Sequence, residues 1–71
     1  MVRLPAISAD LLLKKLQKVG YVVARQKGSH IRLRHKTRKP LTVPDHKIIG
    51  RGLLRKILRD CEISVEELTN L

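Results

Sequence analysis

The run Lys27-Gly28-Ser29-His30 collects residue types that could act on a phosphodiester. RNA carries its own nucleophile, the 2′-hydroxyl beside each phosphate. Cleaving it takes a base for that proton, an acid for the departing 5′-oxygen, and cations for the charge that builds on phosphorus. A metal is not needed in principle. An imidazole is suited to the proton transfers at cellular pH. Lys27 and Arg32 beside it would hold the phosphate. Gly28 permits a tight turn that presents His30. The same residues also fit a surface histidine that contacts phosphate and does no chemistry.

The other reactive side chains are less suited. His35 shares the strand parity of Ile31 and Leu33, which fits a strand-end residue better than a catalyst. His46 could supply the second acid or base, or serve only as a loop residue before a helix; Lys27 is the other candidate for that second role. Three histidines at these spacings match no zinc pattern, and a strongly basic chain repels cations. Ser29 and His30 are neighbours on one segment and point to opposite faces, so they do not make a nucleophile–base pair. Ser29 suits a turn or a hydrogen bond to phosphate. Asp45 and Asp60 stand too far apart in sequence to be argued as a carboxylate pair.

The elements that must position these residues follow from periodicity. Met1 to Ile7 reads as a frayed lead-in, with Pro5 opposing early helix. Ser8 is a plausible N-cap with Asp10 in the first turn. Leu12, Leu13, Leu16 and Val19 then recur at helical spacing, and Gly20 stops the helix. Tyr21 to Lys27 is rich in strand formers. Gly28 and Ser29 make a turn. His30 to His35 alternates strictly, with Ile31 and Leu33 on one face and His30, Arg32 and Arg34 on the other. Leu41 to Val43 is a third strand ended by Pro44. Leu53, Leu54, Ile57, Leu58 and Cys61 predict a second helix from near Gly52. Ser64-Val65-Glu66-Glu67 is a capping box opening a short third helix, with Ile63 and Leu68 as its hydrophobic staple.

The expected order is α-β-β-β-α with a short extra C-terminal helix. This is an α+β arrangement in which the two main helices cover one face of a three-stranded antiparallel sheet. His30, Arg32 and Arg34 would then lie on the open face.

Composition narrows the partners. Seventy-one residues allow a single domain over 1–71. The net charge is +10, from 16 basic and 6 acidic residues. All the basic groups fall in residues 1–59, with only Asp10 and Asp45 as acids before Asp60. Such a surface attracts polyanions, nucleic acid first. Tyr21 is the only aromatic residue, so a row of stacked aromatic rings is excluded. One cysteine, Cys61, excludes an internal disulfide and a cysteine-based zinc site. With no long apolar run, the chain reads as soluble and cytoplasmic. The last two helices do not form a DNA-reading pair, because the second carries Glu66 and Glu67 and no cation.

Four segments, in this order and spacing, resemble the HicA-type toxin family. They are Gly20-Tyr21, Arg25-Gln26-Lys27-Gly28-Ser29-His30, Thr42-Val43-Pro44-Asp45-His46 and Gly52-Leu53-Leu54-Arg55-Lys56-Ile57-Leu58. The resemblance covers about residues 8–64. It implies a fold like the double-stranded-RNA-binding domain. It also implies an mRNA endonuclease of a type II toxin–antitoxin pair, needing no cofactor, with its catalytic histidine at His30 and a HicB-type antitoxin as partner. On this reading Lys27, Ser29, Arg32 and Arg34 bind the RNA phosphates, and DNA binding belongs to the antitoxin. Two features depart from the family pattern. Ile31 and Arg32 follow the histidine where many members carry a second histidine or an aromatic, and the acidic third helix lies at or beyond the family core.

Two other classes fit the composition. One is a non-catalytic RNA-binding module on the same fold, which would show steep salt dependence and leave RNA uncut. The other is a regulatory protein whose basic face docks an acidic partner.

Overall fold

The computed structural model describes residues 3–71. The order is α1 (Ala9–Lys18), β1 (Val22–Lys27), β2 (His30–Arg34), β3 (Leu41–Pro44), α2 (Arg51–Cys61) and α3 (Val65–Asn70). The strands form one antiparallel sheet in the order β1-β2-β3. This is the α+β order that the alternation of elements predicts, and it is consistent with the double-stranded-RNA-binding-domain-like fold that the family resemblance implies.

Local chemistry sets the boundaries. The Ser8 side chain accepts a hydrogen bond from the Leu11 amide at 3.2 Å and caps α1. Gly20, at φ +103°, ends that helix. Ser64 and Glu67 bond each other's backbone amides at 3.0 and 3.2 Å, the reciprocal capping box expected at α3. Ile63 and Leu68, the staple pair, are both buried.

The core joins both main helices to the inner face of the sheet. Leu12 and Leu16 of α1 and Leu54, Ile57, Leu58 and Cys61 of α2 meet Ile31 and Leu33 of β2 and Leu41 and Val43 of β3. β1 lies outside this cover. All six of its residues are exposed, with Val22 at 53% and Val23 at 46%.

Three boundaries differ from the sequence expectation. Tyr21 precedes β1 and is buried at 1% exposure. β2 ends at Arg34, because His35 turns its ring to the end of α1 instead of continuing the ladder. β3 runs through Pro44, which pairs with His30; the missing proline N–H is tolerated on an edge strand. The lead-in is also anchored at its end. Ile7 is buried and its carbonyl accepts from the Ile49 amide at 2.8 Å. Met1 and Val2 of that lead-in lie outside the described residues.

All three helix C-termini receive a basic side chain from elsewhere. Lys15 Nζ donates to the Leu68 and Leu71 carbonyls at the end of α3, at 2.9 and 3.2 Å. Arg38 donates to the Cys61 carbonyl at the end of α2, at 2.6 Å. His35 meets the Val19 carbonyl at the end of α1, at 2.7 Å. Each satisfies a carbonyl the helix leaves open, and the two cations also face the negative end of a helix dipole.

Candidate nucleic-acid interface

Strand register decides which side chains share the open face. β1 and β2 are joined by a two-residue loop, Gly28-Ser29, with Gly28 at φ +58°. Glycine at the first loop position suits the mirror-type turns that match sheet twist. The loop sets Lys27 opposite His30 and Arg25 opposite Arg32. On the other side, β3 sets Pro44 opposite His30 and Thr42 opposite Arg32. Cross-strand partners lie on one face. Lys27, Arg25, His30, Arg32 and Thr42 therefore stand together, all exposed.

They border an open cavity of about 740 Å³, lined by Arg25, Lys27, Gly28, Ser29, His30, Arg32 and Thr42. The Arg32 guanidinium donates to Thr42 Oγ1 at 2.9 Å, which ties it across to β3. Gln26 donates its side-chain amide to the Gly28 carbonyl at 3.0 Å and stiffens the turn. The Asp45 amide donates to the Ser29 carbonyl at 2.6 Å, fixing the same turn to the end of β3. The turn that carries His30 is thus held from both edges of the sheet.

Four of the six expected site residues line this cavity: Lys27, Ser29, His30 and Arg32. Arg34 lies on the same face at the far end of β2, beside Val22, its cross-strand partner. His46 does not line the cavity. It is exposed beyond β3, where its carbonyl accepts from the Ala9 amide at 3.0 Å and its own amide donates to the Pro44 carbonyl at 2.9 Å. Arg25 and Thr42 also line it, and neither stands out in the sequence as a site residue. Arg25 is visible there only as part of a basic run. Thr42 lies in a motif with no chemistry of its own.

His35 is structural. Its Nδ1 accepts from the Thr37 and Arg38 amides at 3.1 and 3.2 Å. Nε2 therefore carries the proton and donates it to the Val19 carbonyl. The ring packs on Tyr21 with centroids 4.7 Å apart, and Tyr21 donates its hydroxyl to the Lys39 carbonyl at 2.8 Å. By contrast, no side-chain hydrogen bond engages the His30 ring among the described residues, which leaves both nitrogens open to a ligand. Among the same residues, no group of three or more His, Cys, Asp or Glu side chains could hold a metal ion. No helix among them is long and apolar enough to cross a membrane.

No curated protein matches the chain closely enough to count as a relative. The model of the HicA toxin of bacterial toxin–antitoxin systems matches residues 10–63, which spans α1 to the end of α2 and stops before α3. At the family level this brings a nuclease role, an RNA target and a cognate antitoxin. With the match covering well over half of its length, the chain belongs to the HicA toxin family and is the toxin component of a toxin–antitoxin system.

Proposed function

We propose that the protein is an endoribonuclease that cleaves mRNA without a metal, with His30 as general acid or base. The observation that carries the reading is the paired geometry of the hairpin end. A histidine with an unengaged ring faces Lys27 across the strand and lines a cavity whose other charged walls are Arg25 and Arg32. An RNA phosphate in this cavity would be held by Lys27, Arg32 and the Ser29 hydroxyl. His30 would take the proton from the 2′-oxygen as that oxygen attacks phosphorus. The bond from phosphorus to the 5′-oxygen then breaks, and a proton goes to that oxygen. The products are a 2′,3′-cyclic phosphate and a 5′-hydroxyl. Lys27 is the better-placed second proton group, because it lines the cavity and His46 does not. Arg34 extends the cationic strip along the strand. A HicB-type antitoxin is the partner that would cover this face.

The test is an RNA with a single 2′-deoxy sugar at the preferred cleavage position, incubated with the protein in excess EDTA. Cleavage at the all-ribose site with cyclic phosphate ends, abolished by the 2′-deoxy sugar, is expected. Products with 5′-phosphate ends would contradict the mechanism. RNA bound and left uncut would favour a non-catalytic RNA-binding module.

A further inference from the structure

The face that carries His30 has a second hollow at its other end. A cavity of about 370 Å³ is lined by Gly20, Val22, Arg34, His35 and Lys36, none of which lines the first cavity. Arg34 is four residues along β2 from His30 and on the same face. At a strand rise of about 3.3 Å per residue, the two side chains project about 13 Å apart. The walls are chemically mixed. Val22 is the cross-strand partner of Arg34 and is 53% exposed. It is an exposed apolar side chain on a face whose other exposed side chains are cationic or polar. Between Val23 and Arg25 the β1–β2 register shifts, leaving Ala24 as the extra residue. That shift brings Val22 opposite Arg34, where an unbroken ladder would place Val23. His35 is a fixed wall, since both ring nitrogens are occupied.

We propose that this hollow is a nucleobase subsite. One base of the RNA strand lies against Val22 with the Arg34 guanidinium stacked on its face, and Lys36 takes a neighbouring phosphate. Guanidinium planes stack on bases as aromatic rings do. The chain has no Phe or Trp, and its one Tyr is buried. Arg34 beside an exposed valine supplies the flat, partly apolar contact those rings would otherwise give. A separation of about 13 Å equals about four stacked nucleotide steps of roughly 3.4 Å. The base bound here therefore sits three or four nucleotides from the phosphate at His30. The inference rests on the ribonuclease reading for that spacing, while base binding itself does not require cleavage.

The test uses the folded His30→Ala protein, which keeps cleavage out of a binding titration. The probes are a short unstructured RNA just long enough to span both hollows, and a series in which one base at a time is replaced by an abasic sugar. One abasic position is expected to weaken binding about tenfold, the scale of a single stacked base. Mapping of the wild-type cut should place it three or four nucleotides away. Arg34→Lys keeps the charge and loses the plane, and Val22→Thr keeps the branched shape and loses the apolar surface. Each, added to His30→Ala, should shrink the difference between intact and abasic RNA. Uniform binding across the abasic series, or a penalty that survives both substitutions, overturns the subsite and leaves the cleavage reading standing. An abasic penalty without any wild-type cleavage upholds the subsite and overturns the cleavage reading. A folded protein that binds no RNA overturns both.

Discussion

Arg25 stands directly across the sheet from Arg32, two cations on one solvent face with no acid between them. Like charges opposed in this way oppose folding slightly. An anion between them would reverse the sign. Arg25→Thr is therefore expected to leave the protein as stable or a few tenths of a kcal/mol more stable at low salt, by about the size of one cross-strand pair. The gain should fade at high salt. RNA binding should weaken, with a salt slope smaller by about 0.7 for each phosphate that is no longer neutralised. Thermal melts and RNA titrations at two ionic strengths check both parts.

Gly20 has no room for a side chain. A Cβ there would lie 2.8 Å from His35 Nε2, at a backbone φ of +103°. His35 cannot retreat without releasing the Val19 carbonyl and two backbone amides. Gly20→Ala should cost about 1–3 kcal/mol, the scale of backbone strain at one residue. Denaturant melts would show it, and an unchanged midpoint would contradict the packing described.

Burial pushes the Tyr21 hydroxyl and the Cys61 thiol above their ordinary values of 10.0 and 9.0. Each is neutral when protonated, and the folded chain holds the proton more tightly than the unfolded one. Their contribution is complete below pH 9.0 and is lost as the pH rises through the folded values. Stability followed against pH should fall above that point. Cys61→Ala should be less stable at neutral pH yet show a shallower early decline.

Lys15 closes the end of α3 from a position 53 residues away. Lys15→Met keeps the apolar stem and removes the donor, at a cost of about 1 kcal/mol. The expected signature is faster hydrogen exchange at the α3 amides, with those of α2 little changed. Equal acceleration in both helices would show that α3 is not held in this way.

Caps and apolar spacing make the helices legible in the sequence, and strict alternation does the same for β2. The Gly28-Ser29 turn and the alternation that follows it are enough to put His30 on the open face. The behaviour of β1 is not legible. Tyr21, Arg25 and Lys27 share odd numbering, so an unbroken strand would point all three the same way. One unpaired residue, Ala24, turns Tyr21 into the core against His35 while Arg25 and Lys27 stay outside. A bulge of one residue has no signature in apolar periodicity. The roles of Lys15 and Arg38 are hidden for a related reason. Charges off an apolar stripe read as solvated, and only the fold brings a distant helix end within reach.

The most direct measurement compares the wild type with His30→Ala in the cleavage of a long mRNA in excess EDTA, after both are shown to be folded. The exposed position of His30 makes that substitution structurally mild. Cleavage by the wild type, lowered at least a hundredfold in His30→Ala as befits loss of one proton-transfer group of about 10²–10⁴-fold effect, is the expected result. Equal cleavage by both proteins would remove His30 from the chemistry and contradict the account.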